Sequence, residues 1–171
     1  VLALRRAPKP VLVAVHGAVA GAGVSLMAAA DLVIAAEGTR FTLAYSKIGA
    51  SPDGGATYFL PRLVGYRKAL ELMLLADTFD AQAALELGLV NWVVSAEALS
   101  TETGNIARRL ALGATYAFGE TKRLVNQSHD HALAAQLNAE VEAFVRCAGT
   151  RDFAEGVTAF VEKRKPNFKG N

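Results

Sequence analysis

Only one cysteine, Cys147, occurs among the 171 residues, so no disulfide bond can form within the chain. This composition suits a reducing compartment, and we expect a cytoplasmic protein. No residue near Cys147 has the spacing of a metal ligand, and His129 and His131 would point to different faces of a helix. The sequence therefore predicts no metal site.

Long apolar runs are also missing. The longest ones, such as residues 11–15 and 32–36, have the length of a strand and fall far short of a membrane span. No charged, apolar and small-residue leader precedes them. The 18 basic and 16 acidic residues leave a net charge of +2, and the basic ones are scattered along the chain. We therefore expect no membrane association and no nucleic-acid partner.

The residues that are present favour a globular protein with a substantial core. Hydrophobic residues make up 52% and charged residues 20% of the chain, which suits one domain of ordinary size. The β-branched run at 11–15 follows Pro10 and indicates a strand buried on both faces of a parallel sheet. A short helix over 24–30 and a second buried strand at 32–36 are predicted next.

The second half has mainly helical periodicity, which begins at Tyr66. Asp80 is placed to cap a helix that Gly88 closes, and a strand over 89–94 follows. Apolar residues recur at helical intervals up to residue 161, and the last predicted helix is amphipathic. The polar end at 166–171 is either anchored or frays. These elements predict an α/β fold with a strand-rich first half and a helical second half.

Three glycines, Gly17, Gly21 and Gly23, lie between the first predicted strand and helix and leave backbone N–H groups open to an anionic oxygen. One interpretation is a dinucleotide-binding turn, which needs a third glycine at a set spacing and a long crossover helix. Leu26 occupies the place of that glycine, and the segment up to Asp31 is too short for the helix. This spacing disfavours a dinucleotide site.

The other interpretation gives the N–H groups of Ala22 and Gly23 a catalytic use. Together they would polarise a carbonyl group and hold the oxygen of an enolate as the reaction creates it.

Residues 9–23, with the sequence KPVLVAVHGAVAGAG, resemble the signature of the crotonase superfamily, the enoyl-CoA hydratases and isomerases. The resemblance runs from about Pro10 to the end of the chain and continues in register through several later segments. These are Ala30 to Ala35 with Phe41, Pro52 to Gly55, Leu60 to Gly65, Ala81 to Ala84, Gly88 to Val90, and Thr158 to Phe168.

This resemblance implies the C-terminal portion of a crotonase-like spiral core of ββα turns, followed by a helical trimerisation region. We place the core over residues 1–110 and the helical region over 111–171. An acyl-CoA thioester substrate is implied, together with a homotrimer or hexamer, and with no cofactor apart from the coenzyme A of the substrate. Members carry an N-terminal stretch with the second oxyanion-hole N–H, and we expect this stretch to be absent here.

The resemblance also points to one catalytic carboxylate. Hydratases of this family use two glutamates, and the positions in register hold Ser25 and Tyr45, which cannot act as carboxylate bases. Asp53 stands where dienoyl-CoA isomerases, 4-chlorobenzoyl-CoA dehalogenases and ring-1,2-epoxyphenylacetyl-CoA isomerases carry a catalytic aspartate. The pattern is most similar to that of the last group, which implies proton transfer beside the thioester. From spacing alone, an ordinary turn residue is the simpler interpretation of Asp53.

Further site residues follow from the same resemblance. Ser25 and Tyr45 are candidates for the acyl pocket, although packing in the core explains each of them as well. Phe160 and Lys163 fall at helical spacing, and the matching pair in the family contacts the coenzyme A of a neighbouring subunit. A core phenylalanine and a solvated lysine are the alternative.

The function that we expect is therefore an acyl-CoA isomerase in which Ala22 and Gly23 hold the enolate and Asp53 moves the proton. An enoyl-CoA hydratase is the first alternative. The second, of another class, is a catalytically silent fragment or binding subunit, because two glutamates and one oxyanion donor are missing. His16 and Asp31 are expected to make structural hydrogen bonds only.

Overall fold

The computed structural model describes residues 1–171, which form two compact units. The first unit comprises residues 1–5 and 11–104, and the second comprises residues 6–10 and 105–171. The domain boundary that the sequence predicted at residue 110 stays a prediction. No helix of the structure combines the length and the apolar character that a membrane crossing requires.

The strands all lie in the first unit. They are β1 (Leu12–Val15), β2 (Ala18–Ala20), β3 (Leu32–Ala36), β4 (Arg40–Thr42), β5 (Phe79–Asp80) and β6 (Trp92–Val94). The helices that accompany them are α1 (Leu2–Arg6), α2 (Ala22–Ala28), α3 (Ala56–Val64), α4 (Tyr66–Leu75), α5 (Ala81–Glu86) and α6 (Leu99–Ala111). A 3₁₀ turn at Ser46–Ile48 connects β4 to α3.

The first four strands alternate between two sheets. One sheet has the order β1–β3–β6 with all strands parallel, and the other has the order β2–β4–β5, in which β4 and β5 are antiparallel. A helix follows each of the first two pairs of strands, so that the chain runs β1–β2–α2 and then β3–β4–α3. This repeat is the spiral of ββα turns that the sequence predicted, and the α/β class is confirmed.

The core is one cluster of buried side chains that come from the strands β1 to β4 and the helices α2 to α5. β3 is the central strand of its sheet, and Val33 to Ala36 are buried because both of its faces are covered. Phe41 of β4 is fully buried and stacks on Phe79, with ring centroids 5.5 Å apart. Burial of such large side chains stabilises the fold by about 1.5 to 3 kcal/mol each.

The sequence predicted the first and second buried strands to within one residue. The strand predicted over 89–94 begins only at Trp92, because Asn91 pairs with β3 in a different way. The side-chain oxygen of Asn91 accepts the backbone N–H of Val33 at 2.7 Å, while the Asn91 N–H donates to the Val33 carbonyl at 2.8 Å. Asp80 caps α5 as predicted, since its carboxylate accepts the N–H of Ala83 at 2.9 Å.

Among the elements that were not predicted are β2 and α3. β2 lies between Gly17 and Gly21 in the glycine-rich segment, and its three residues are too few to display a periodicity. The second is α3, which contains Pro61, a residue that breaks most helical patterns. The helix predicted over 24–30 is α2, which begins two residues earlier, directly after Gly21.

The second unit is helical, as predicted. It contains α7 (Thr115–Gln127), α8 (Leu133–Ala148) and α9 (Arg151–Val161). Lys122 of α7 is buried, and its Nζ donates to the carbonyl oxygen of Lys9 at 3.2 Å. One turn earlier, Gly119 allows the backbone of α7 to approach the carbonyl oxygen of Pro8. These contacts hold the segment 6–10 against α7.

The polar C-terminal segment is anchored, which decides between the two alternatives that the sequence left open. Asp152 is buried in the first turn of α9, and its carboxylate accepts the backbone N–H groups of Lys169 and Gly170 at 2.7 and 2.8 Å. The N–H of Asp152 donates in turn to the carbonyl of Asn171 at 3.0 Å. A charged acceptor for two amides is a strong local restraint.

The predicted periodicity of α8 corresponds to an exposed apolar face in this chain. We call this set of side chains the α8 face. Its members are Leu133, Leu137, Val141, Phe144 and Val145, which are between 51% and 74% exposed.

Candidate active site

The glycine-rich segment before α2 forms a turn around Gly21. This residue has a φ of 49° and a ψ of −116°, a conformation that glycine adopts without a steric penalty. Its N–H donates to the carbonyl of Thr42 at 2.9 Å, and its own carbonyl accepts the N–H groups of Val24 and Ser25. The turn is therefore fixed to β4 on one side and to α2 on the other.

The next two residues of this turn, Ala22 and Gly23, are exposed at the beginning of α2. Neither of their N–H groups donates to an acceptor within the chain, as is usual for the first residues of a helix. Both amides can therefore donate to the oxygen of a ligand.

Asp53 lies in a second turn, which leads into α3 through Gly54 and Gly55. Its side chain is exposed, and its Oδ1 accepts the hydroxyl proton of Tyr45 at an O–O distance of 2.6 Å. An aspartate that only stabilises a turn accepts a backbone N–H of that turn, and the Asp53 carboxylate accepts none. The side chain is therefore held by Tyr45 rather than by its own loop.

Ser25 joins the two turns. It is fully buried in α2, with its Oγ 3.2 Å from the hydroxyl oxygen of Tyr45 and 3.4 Å from the carbonyl oxygen of Gly21. A Cβ atom at Gly54 would lie only 2.9 Å from the Cβ of Ser25, so the Asp53 turn packs directly on α2. Ser25, Tyr45 and Asp53 thus form one hydrogen-bonded cluster.

The sequence named all three residues of this cluster but not the bond between Tyr45 and Asp53. Tyr45 is half-buried and packs beside Gly21, so neither a core position nor an acyl pocket alone describes it. The available signal was the register of the family pattern, since the resemblance implies catalytic groups at positions 25, 45 and 53 in one member or another.

The fold overturns the dinucleotide interpretation of the glycine turn. A dinucleotide site needs a helix that connects two neighbouring parallel strands of one sheet. Here α2 has seven residues and leads from β2 in one sheet to β3 in the other. The helix is too short for a crossover between parallel neighbours, and the strands that it connects belong to two different sheets.

Other residues that the sequence singled out are structural or stand apart from this cluster. The Oδ2 of Asp31 accepts the N–H of Val11 at 2.7 Å, which confirms the structural hydrogen bond expected for it. His16 is exposed directly after β1. No three metal-ligating side chains are grouped closely enough to hold a metal ion.

Phe160 and Lys163 lie in the second unit. Phe160 is 85% exposed in the last turn of α9. Lys163 lies beyond the helix with a φ of 53°, and this left-handed residue lets the N–H of Arg164 bond to the carbonyl of Ala159 and close the helix. Lys163 is therefore not part of the helix, which ends at Val161, and the contact of both side chains with coenzyme A stays a prediction.

A family model described as enoyl-CoA hydratase/isomerase matches residues 1–171. The chain belongs to this family. The crotonase resemblance found in the sequence is thereby confirmed.

Several enoyl-CoA hydratase/isomerase relatives are similar along almost the whole chain. The 1,2-epoxyphenylacetyl-CoA isomerase of Escherichia coli strain K12 is 41% identical over 168 residues, which are 98% of this chain and 64% of the relative. The trans-2-decenoyl-[acyl-carrier-protein] isomerase of Streptococcus mutans strain UA159 is 38% identical, with the same shares covered. The crystal structure of an enoyl-CoA hydratase from Polaromonas sp. JS666 superposes with a TM-score of 0.93 at 40% identity, over 98% of this chain and 65% of that one.

The chain thus spans 64% of the length of the two curated relatives. Both curated relatives are named isomerases, whereas the solved structure is named a hydratase.

Proposed function

We propose that this protein is an acyl-CoA isomerase in which Asp53 moves a proton next to a CoA thioester. The observation that supports this proposal is the make-up of the hydrogen-bonded cluster, where only Asp53 among the three side chains is a carboxylate. One carboxylate can take a proton from one carbon and return it to another. Addition of water needs a second acid or base, and Ser25 and Tyr45 do not supply a carboxylate.

The proposed reaction moves one proton and one double bond. Asp53 takes a proton from the carbon between the thioester carbonyl and the double bond. The electron pair of the broken C–H bond forms an enolate, whose oxygen is held by the N–H groups of Ala22 and Gly23. Asp53 then gives the proton to the far carbon of the original double bond. The product has its double bond conjugated with the thioester, and Asp53 is again a carboxylate.

The substrate in this proposal is an acyl-CoA thioester, with Ser25 and Tyr45 next to the acyl group and no additional cofactor. We further propose a homotrimer or hexamer, in which Phe160 and Lys163 contact the coenzyme A bound to a neighbouring subunit. The exposure of Phe160 and the positive charge of Lys163 suit an adenine ring and phosphate groups.

An enoyl-CoA hydratase is the second candidate, because a solved structure at 40% identity carries that name. A binding subunit without catalysis is a third candidate, of another class. It is supported by Ser25 and Tyr45, which stand where hydratases of this family carry two glutamates and supply no carboxylate.

The test is turnover of 3-hexenoyl-CoA by the 171-residue chain and by Asp53→Asn. We expect Asp53→Asn to lower kcat by about 100- to 10,000-fold, the usual contribution of a general base. Binding of butyryl-CoA, measured by calorimetry, should stay within about twofold, because the substitution preserves the shape of the side chain. Asp77→Asn, the same change at an exposed residue outside the cluster, serves as the control.

Each candidate function has its own outcome in this experiment. Full activity of Asp53→Asn would contradict the role of Asp53 as the base. Hydration of crotonyl-CoA without isomerisation of 3-hexenoyl-CoA would favour the hydratase. Binding of butyryl-CoA without turnover of either substrate would favour the binding subunit.

A further inference from the structure

Three side chains form a directed series of hydrogen bonds between the two turns of the candidate active site. An ionised carboxylate has no proton to donate, so the Tyr45 hydroxyl donates its single proton to Oδ1 of Asp53. The Tyr45 oxygen then has only acceptor capacity left, while the single Ser25 hydroxyl proton has two acceptors within reach, this oxygen at 3.2 Å and the Gly21 carbonyl oxygen at 3.4 Å. When Ser25 donates to Tyr45, the series runs from Ser25 through Tyr45 to Asp53.

Packing keeps this series in one geometry. Ser25 is fully buried, and its Cβ lies against the backbone of Gly54, where a methyl group would come within 2.9 Å of it. On the other side, the ring of Tyr45 lies against Gly21, since a Cβ built there would be 3.8 Å from the ring. The O–O distance of 2.6 Å between Tyr45 and Asp53 falls in the range of strong bonds from a hydroxyl to a carboxylate.

The bond from Tyr45 makes the two oxygens of Asp53 unequal. Oδ1 is occupied, whereas Oδ2 accepts no hydrogen bond from the chain. When Asp53 has taken a proton on Oδ2, Oδ1 is a carbonyl oxygen and still accepts from Tyr45. A proton on Oδ1 would instead face the Tyr45 hydroxyl proton and break the bond.

We propose that Tyr45 is a positioning residue that holds Oδ1 of Asp53 and thereby makes Oδ2 the oxygen that carries the proton. This inference rests on the proposed function of Asp53 as the base. The proton leaves the substrate carbon for Oδ2 and is returned from Oδ2 to the second carbon, while the Tyr45 hydroxyl keeps its own proton throughout. Ser25 supports the arrangement by orienting the Tyr45 hydroxyl.

The first part of the test is steady-state kinetics of Tyr45→Phe with 3-hexenoyl-CoA. This change removes the hydroxyl and keeps the ring. We expect kcat to fall about 10- to 100-fold, as for loss of a hydrogen bond to a charged group, with KM within about twofold. Ser25→Ala keeps the bond to Asp53, and we expect a smaller loss. Tyr66→Phe, at a tyrosine that is 70% exposed and outside the cluster, should leave both constants unchanged.

The second part of the test measures deuterium in the product formed in D₂O. Without the Tyr45 hydroxyl, the Asp53 carboxyl can rotate and exchange its proton with solvent before delivery. We therefore expect Tyr45→Phe to raise the fraction of product that carries deuterium at the carbon receiving the proton. A purely structural effect would lower the amount of active enzyme without changing this fraction per turnover.

The outcomes separate this inference from the function on which it rests. If Tyr45→Phe has an unchanged deuterated fraction, whether or not kcat falls, the positioning role is overturned while an inactive Asp53→Asn still supports Asp53 as the base. If Asp53→Asn is active, or the wild-type chain does not isomerise 3-hexenoyl-CoA, the proposed function fails and the inference fails with it.

Discussion

At the scale of single residues, Glu155 of α9 illustrates how one carboxylate restrains the C-terminal segment. It accepts two hydrogen bonds from the Arg164 guanidinium, at 2.7 and 2.9 Å, and the N–H of Asn167 at 2.8 Å. These hydrogen bonds lower the pKa of Glu155 from 4.5 to about 2. The bond from Arg164 is the main cause, and the bond from Asn167 is the second. Arg164 remains positively charged, because the same contact raises the pKa of its guanidinium.

The lowered pKa sets the pH range of this restraint. A carboxyl group whose pKa is lower in the folded chain than in the unfolded chain stabilises the folded state at pH values above the unfolded pKa. This stabilisation is lost as the pH falls through the folded pKa. For Glu155 this stabilisation is lost as the pH falls from about 4.5 through about 2. The restraint is therefore complete at neutral pH.

We expect an NMR titration of the Glu155 carboxyl carbon to show a midpoint near 2. Arg164→Gln should move this midpoint up toward 4.5, because the main cause of the lowered pKa is removed. Lys163→Gln, which removes a neighbouring positive charge without a bond to Glu155, is the matched control. An unchanged midpoint in Arg164→Gln would refute the assignment of the cause.

Single residues also show how much of the candidate site could be predicted from the sequence. Asp53 could be named because the sequence Pro-Asp-Gly-Gly in a family register is local information. The bond from Tyr45 to Asp53 could not, because it depends on the path of the loop between β4 and α3. The position of Lys163 beyond the end of α9 could not be predicted either, because helical periodicity does not say where a helix ends.

At the scale of elements, the contact between α7 and the segment 6–10 depends on Gly119. A methyl group at this position would overlap the carbonyl oxygen of Pro8, which is backbone and cannot rotate away. We expect Gly119→Ala to lower the free energy of unfolding by about 1 to 3 kcal/mol, as other overpacking substitutions do.

Urea denaturation followed by circular dichroism checks this expectation. Gly104→Ala is the matched control, because Gly104 is inside α6 and has open space around it. There the substitution should raise the free energy of unfolding by about 0.5 to 1 kcal/mol, since alanine favours the helix. Equal effects of the two substitutions would show that the contact with Pro8 is unimportant.

Elements differ in how well the sequence reveals them. β1 and β3 are apolar runs between turn residues, and they could be predicted because burial on both faces leaves an unbroken pattern. β2 and β4 have three residues each and gain their stability from pairing with each other, as Val19 does with Phe41. Such pairing joins residues far apart in sequence and has no local signature.

At the scale of the whole molecule, the α8 face gives the proposed oligomer a concrete test. Exposed apolar patches of this kind usually mark interfaces. We expect the wild-type chain to sediment as a trimer or larger species, and Val141→Glu to shift it toward the monomer. Ala135→Glu adds the same charge at an exposed position of α8 away from the face and should have no effect. A monomeric wild-type chain in analytical ultracentrifugation would contradict the proposed assembly.

The alternation of strands between two sheets has a consequence for how the fold opens. The coil β3–β4–α3, which leads to Tyr45 and Asp53, is flanked in both sheets, by β1 and β2 on one side and by β6 and β5 on the other. Strands with a neighbour on each side open only when the pairing on both sides is lost, so the backbone amides of β3 and β4 are expected to be among the last in the first unit to exchange with solvent hydrogen. The loop that carries Tyr45 and Asp53 therefore follows directly on the part of this unit that opens least often.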